Sequence, residues 1–290
     1  MSTDSYARRM KVHLGEYKLH HLGVRECGLW RYRPYRHILP QNLFRLNIIE
    51  TYRAQFWEYF EAEGKRREML RERFDLHEGF HHLNSSQAMC FNLFFPFVID
   101  ESSRAGSLFE ALNESLPEHL RISNDPPAEQ TFEKILDKEE GTNFDFYVRL
   151  KSGRKILFEL KLSEKSFGDA EDDKNHREKF ERVYKPRLDG RIDDEYKNRE
   201  RFFANYQVLR NILWLNSSKQ DLLFFVYPQQ NEVLSPHRGT IDHAPERGLK
   251  ELVKCIHLED LAERISRQQD EQDPRFCLHY RMFKEKYLLT

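Results

Sequence analysis

Glycine and proline are scarce in this 290-residue chain, at 12 and 11 residues, which excludes collagen-like and low-complexity architectures. Cysteine is scarcer still. Cys27, Cys90, Cys255 and Cys277 are scattered without CxxC spacing, so neither a disulfide framework nor a cysteine zinc site is expected. No apolar run approaches the roughly 18 residues of a membrane span, and no secretory signal opens the chain. There are no internal repeats and no linker-like stretches. The simplest expectation is a cytoplasmic protein in a reducing compartment, without membrane contact. An excess of charge is also lacking: 47 Lys and Arg stand against 48 Asp and Glu. The net value therefore says nothing about nucleic acid, and only local clusters can.

What the chain does have is a 33% share of charged residues beside a 13% aromatic share. That is a globular, largely helical composition rather than a disordered one, long enough for one elaborated domain or two small ones. The most informative stretch is GTNFDFYVRLKSGRKILFELK, Gly141–Lys161. Phe144, Phe146, Val148 and Leu150 recur with period two, as do Ile156, Phe158, Leu160 and Leu162, so both runs read as strands. Lys151-Ser152-Gly153 suits a hairpin loop with Gly153 left-handed. Paired across it, Val148 opposes Ile156 and Phe146 opposes Phe158. The same register gathers Asp145, Glu159 and Lys161 on the other face. Two opposed carboxylates repel, and a covered ammonium is costly unless paired. An ion pair at a wet sheet edge would satisfy the pattern. So would a hard cation between the carboxylates, with Lys161 beside a water.

An aspartate opening one strand, then Glu-x-Lys on the next, resembles the PD-(D/E)XK nuclease superfamily, the restriction-endonuclease-like fold. The segments HLNSSQAMCFNLFFPF, TFEK, GTNFDFYV, FELKLSEKSFG and NYQVLRNI followed by VYP resemble a nuclease-like branch of it, over about residues 80 to 230. Phe144 stands where the name-giving proline would be, a position loosely kept in the superfamily. The resemblance implies a mixed α/β protein with an αβββαβ core. Its first helix would be Ser85–Asp100, capped by Asn84 or Ser85, and its strands Thr131–Leu136, the hairpin and Leu222–Tyr227. The helix before the last strand would be Glu200–Asn216, with Phe202, Tyr206, Leu209 and Leu213 on its apolar stripe. Residues 1–80 and 241–290 would be extensions of a core at 81–240.

Carried over by position, the resemblance makes Asp145 and Glu159 metal ligands together with the Leu160 carbonyl, and Lys161 the group that orients the attacking water. Glu133 is either a further ligand or an exposed strand glutamate. Gln207 is the glutamine that several branches present to the active site. Arg210, three residues on and so on the same face, either meets a phosphate or forms a salt bridge. Gln87 and Asn92 on the first helix are weaker substrate contacts. The expected ion is Mg2+, with Mn2+ able to substitute, because the donors are hard oxygens. The expected substrate is nucleic acid, DNA favoured over RNA, and the resemblance leaves room for a homodimer. A catalytically silent nucleic-acid-binding protein of the same fold is the alternative.

Three flanking features complete the reading. LWRYRPYRH interleaves Arg31, Arg33 and Arg36 with Trp30, Tyr32 and Tyr35, which suits phosphate contact and base stacking or a segment strapped down by its aromatic rings. Leu43–Phe60 reads as a helix packed on the core. Asp169–Arg199 reads as a charged helical insertion or a lid, and Gly248–Arg267 and Arg275–Leu289 as terminal helices. His77-Glu78-Gly79-Phe80-His81 matches the H-E-x-x-H of zinc metalloproteases, which needs both histidines on one face of a helix. Gly79 weakens such a helix, and a cluster of satisfied or exposed histidines is the competing reading.

Overall fold

A computed structural model describes residues 5–99, 104–267 and 273–289. The chain forms two compact units, Met1–Leu112 with Leu258–Thr290, and Asn113–His257. Among the described residues no helix is long and apolar enough to cross a membrane.

The first unit is helical, with α1 (Tyr6–His20), α2 (Glu50–Met69), α3 (Ser86–Ile99), α4 (Ala105–Asn113, its last residue across the unit boundary), α9 (Leu258–Arg267) and α10 (Pro274–Tyr287). A small hairpin, β1 (Gly28–Trp30) and β2 (Arg33–Tyr35), lies between α1 and α2. Ser85 caps α3, its Oγ accepting the Ala88 N–H at 3.3 Å. Asp100, the last residue of the expected helix, lies outside the described residues. The expected helix from Leu43 begins instead as a 3₁₀ segment, Gln41–Asn47, and turns α-helical only at Glu50. The Asn47 side chain explains the break, because it donates to the Phe80 and His82 carbonyls at 2.6 and 2.8 Å. The core is aromatic: the Phe56 ring lies 4.9 Å from Phe91 and 5.2 Å from Phe95.

The second unit is built on a five-stranded mixed sheet, in the order β3 (Pro127–Ile135), β4 (Asn143–Leu150), β5 (Lys155–Leu160), β6 (Leu222–Tyr227) and β7 (Val253–His257). The first three strands are antiparallel, whereas β5–β6 and β6–β7 are parallel. Val148 pairs with Ile156 and Phe146 with Phe158, and Gly153 has φ +87°. Period-two patterning and turn chemistry are enough to fix this register. Phe132, Phe146, Phe158 and Phe224 are fully buried and form a ladder across four strands, with successive ring centroids 5.1, 5.6 and 5.3 Å apart.

Two further elements differ from the sequence reading. Gly248–Arg267 is not one helix, because Val253–His257 forms the outer parallel strand β7 before α9 begins. The expected helix Glu200–Asn216 is broken into α6 (Arg199–Ala204) and α7 (Tyr206–Ile212). At the break Asn205 takes φ −129°, ψ 32°. Its Oδ1 accepts from Thr240 Oγ1 at 2.8 Å, on α8 (Ser235–His243), and its Nδ2 donates to the Arg201 carbonyl at 3.0 Å. The charged insertion carries an exposed helix, α5 (Lys174–Lys179), and then anchors itself through buried Phe180 and Tyr184. These rings lie 5.2 Å from Phe202 and 5.6 Å from Tyr206.

Candidate active site

The paired β4–β5 ladder ends at Phe146 and Phe158. One step beyond, the Asp145 carboxylate accepts the Leu160 N–H at 2.6 Å, taking the place of a backbone acceptor. On the far side, Glu159 pairs with Phe225 of β6, and the Lys161 N–H donates to the Val226 carbonyl at 2.9 Å. The central strand thus stays paired with β6 while at its edge toward β4 a side chain accepts the backbone N–H.

Glu159 is 1% exposed and uses both oxygens. Its Oε1 accepts from Lys161 Nζ at 2.8 Å and from Gln207 Nε2 at 2.6 Å, and its Oε2 accepts from Asn211 Nδ2 at 3.1 Å. Lys161 Nζ also donates to Gln207 Oε1 at 3.2 Å. Helix α7 therefore delivers Gln207 and Asn211, one turn apart, onto one carboxylate. Asn211 was not singled out from sequence, although its i+4 relation to Gln207 was a usable signal. Its Oδ1 is buried without a hydrogen-bond partner among the described residues.

Glu133 is the third carboxylate. The register places it across from Asp145, between the pairs Phe132–Phe146 and Lys134–Phe144. It is 7% exposed, so it is not an exposed strand glutamate, and the Asn143 side-chain amide donates to it. Its φ is +52°, a left-handed conformation that costs a residue with a Cβ about 1–2 kcal/mol.

Electrostatics follow from this crowding. Burial pushes the Asp145 carboxyl well above the usual carboxylate range, and the negative charges of Glu159 and Glu133 push it further. The Lys161 ammonium and the Leu160 N–H pull the other way and do not prevail. Part of the Asp145 surface still reaches solvent. For Lys161, burial favours loss of the proton, but Glu159, Asp145 and Glu164 outweigh it and hold the ammonium above the ordinary lysine range. Asp145 is thus crowded by two carboxylates, Glu159 and Glu133, against one ammonium, Lys161.

Gly168 closes the site from the loop after β5. Its φ is +123°, and a Cβ there would lie 2.7 Å from Gln207 Oε1. Its carbonyl accepts the Gln207 N–H at 3.1 Å. Gly168→Ala is expected to displace the Gln207 side chain and to cost about 1–3 kcal/mol in backbone strain. Thermal denaturation of the variant, with a crystal structure to locate Gln207, checks this. An unmoved Gln207 at unchanged stability would refute it.

The other sequence candidates are distributed as follows. The Arg210 guanidinium stands over the Tyr206 ring at 5.1 Å, and its Nε is buried without a hydrogen-bond partner among the described residues. Arg31 and Arg33 are exposed on the β1–β2 hairpin of the first unit. Gln87, in the same unit, accepts the His77 N–H at 2.9 Å and donates to the Asp75 carbonyl at 3.1 Å. Asn92 is buried among the Ile49 N–H, the Asn47 carbonyl and the Tyr287 hydroxyl. Over Glu78–His81 the backbone is a 3₁₀ turn, and His81 presents its two ring nitrogens to the Glu78 and Leu29 carbonyls at 3.2 and 3.3 Å. The helical face that a zinc pair needs is therefore not formed there.

Among the described residues no three His, Cys, Asp or Glu side chains form a metal-ligating group. Mg2+ does not need one, since it keeps several waters and is held through one or two carboxylates. Asp145, Glu159 and the Leu160 carbonyl are hard-oxygen donors of that kind, and the excess of carboxylate over ammonium is relieved by a cation.

Fold and site together define a mixed α/β protein with a carboxylate–lysine cluster at the edge of its central strand. The chain belongs to the family described as "Restriction Endonuclease associating with ARP", which matches residues 11–288. No curated protein and no solved structure matches it. Membership in a restriction-endonuclease-like family suggests nuclease activity and, with it, nucleic-acid binding.

Proposed function

We propose that the chain is a metal-dependent PD-(D/E)XK nuclease that hydrolyses phosphodiester bonds, with DNA as its favoured substrate. The observation that carries the proposal is the crowding of Asp145 by Glu159 and Glu133, with a single ammonium, Lys161, set against Asp145 and Glu159. Asp145, Glu159 and the Leu160 carbonyl would hold Mg2+, or Mn2+ in its place. Bound there, the ion supplies charge stabilisation for the phosphate and a water of lowered pKa.

The chain's own groups do the positioning. Lys161 has three N–H donors, of which Glu159 and Gln207 take two. The third is left for the attacking water or a phosphate oxygen. Gln207 and Asn211 fix the Glu159 carboxylate, and Gly168 fixes Gln207. Glu133 adds negative charge beside Asp145 and can serve as a ligand directly or through water. Arg210, with an unsatisfied buried Nε, is assigned to the phosphate backbone. The family's name records association with ARP, and we extend that association to this chain.

The test is a cleavage panel of plasmid, linear duplex, single-stranded DNA and RNA, each with Mg2+, Mn2+ or EDTA. Metal-dependent cutting, with DNA preferred, is the expected outcome. Cutting that persists in EDTA, or a folded protein that cuts nothing with metal and ARP supplied, would overturn the proposal.

A further inference from the structure

The H-E-x-x-H segment and the LWRYRPYRH segment meet in the first unit around one cavity of about 540 Å³, within the size range of small-molecule sites. Trp30, Phe44 and Phe80 supply aromatic surface, and Arg31, Gln41 and Glu78 supply polar groups. The walls are built features. His81 bridges the 3₁₀ turn to β1 through the Glu78 and Leu29 carbonyls. Gln87 clamps the incoming loop at Asp75 and His77. Trp30 is set edge-on against His82, with ring centroids 4.7 Å apart. By contrast, the side chains of Gln41 and Glu78 make no hydrogen bond or ion pair among the described residues. Both line the cavity from its solvent-exposed side.

The hairpin beside the cavity is strained at its tip. Arg31 and Tyr32 form the two-residue turn between β1 and β2 with φ +48° and +64°. Such turns normally use Asn or Gly, for which positive φ is cheap. Here an arginine and a tyrosine occupy it, and the Tyr32 side chain is 99% exposed. The strained turn puts Arg31 on the cavity's lining and holds the Tyr32 ring out in solvent next to it in sequence.

Aromatic walls, a free carboxylate, a free amide and a rim guanidinium are together the complement of a nucleotide. We propose that this cavity binds one unstacked base of the nucleic-acid substrate, and that the base is guanine. The N1–H and exocyclic amine of guanine give the Glu78 carboxylate two adjacent donors. Arg31 takes the phosphate, and Tyr32 stacks against the neighbouring base in the place vacated. The inference rests on the nuclease reading for its substrate class, but the site is separate from the carboxylate cluster and is tested separately.

The experiment is calorimetric titration of the full chain with GMP, AMP, CMP and UMP, repeated on Glu78→Gln, Trp30→Ala and Asp145→Asn. A two-point hydrogen bond to one base edge discriminates by roughly tenfold or more. GMP is therefore expected to bind about tenfold tighter than AMP. Glu78→Gln should erase that preference, Trp30→Ala should weaken all binding, and Asp145→Asn, which removes the other site's carboxylate, should leave the preference for GMP in place. Absence of nucleotide binding overturns the proposal, as does binding that Glu78→Gln and Trp30→Ala leave intact or that Asp145→Asn abolishes. Guanine-selective binding by a protein that cuts no nucleic acid would sustain this site and sink the nuclease reading. Metal-dependent cutting without nucleotide binding would do the reverse.

Discussion

Asp145→Asn is expected to abolish metal-dependent cleavage while making the metal-free protein more stable. The amide keeps an oxygen for the Leu160 N–H, which Asp145 Oδ2 now accepts at 2.6 Å, so no buried donor is orphaned. It also removes the carboxylate that burial, Glu159 and Glu133 most strongly disfavour. The activity loss should reach at least about 10²–10³-fold, the scale for removing one preorganised electrostatic group. Each kcal/mol of relieved repulsion raises Tm by about 2–4 °C in a chain of this size class. Asp145→Ala is a poorer probe, because an unpaired Leu160 N–H costs about 1–3 kcal/mol and masks the gain.

The pH dependence of that stability gain has a definite sign. Because the folded-state pKa of Asp145 is raised, the native protein keeps this proton after the unfolded chain has released its own. Its contribution to stability is present in full below the unfolded carboxylate value of about 4, and is lost as pH rises through the folded pKa. The Tm difference between Asp145→Asn and wild type should therefore widen from pH 4 toward neutrality in EDTA, and magnesium should narrow it. A difference that is flat with pH would show that Asp145 does not bear the charge stress described.

Lys161→Met should also abolish cleavage, but with the opposite effect on folding. The lysine is 13% exposed and its partner Glu159 is 1% exposed. Removing one member of a buried pair leaves an uncompensated charge, at about 3–5 kcal/mol. Gln207 and Asn211 still donate to Glu159, which places the expected loss toward the lower end. At about 2–4 °C per kcal/mol the fall in Tm is on the order of ten degrees, read by calorimetry. Two variants that are both inactive, one stabilised and one destabilised, would separate a functional cluster from a merely structural ion pair. A structural pair predicts destabilisation from both.

Legibility from sequence divides along physical lines. The β4–β5 hairpin, its register and the shared face of Glu159 and Lys161 could be read because side-chain alternation and turn chemistry are local. Strand β6, Leu222–Tyr227, was equally plain as a continuous apolar run. Strand β7 was not. Leu249, Leu252, Val253 and Ile256 fit one helical stripe and Leu258, Leu261 and Ile265 another, the phase shifting at the strand–helix boundary, and parallel pairing with β6 makes Val253–His257 extended. The break at Asn205 carries no glycine or proline. It comes from a side-chain bond to Thr240, 35 residues away. Asn211 and Gly168 were missed as parts of the site for the same reason, since each matters only through Glu159 or Gln207. The H-E-x-x-H spacing carried a helical assumption that a 3₁₀ turn does not meet.

The measurement that bears most directly on the central claim is a titration of Mn2+ into the metal-free chain, followed by the electron paramagnetic resonance signal of the free ion, with Asp145→Asn as the paired control. If the crowded carboxylates are there to hold a divalent cation, wild type takes up one ion per chain, Mg2+ displaces it, and Asp145→Asn takes up none at that site. No uptake by wild type, or equal uptake by both proteins, would contradict the account.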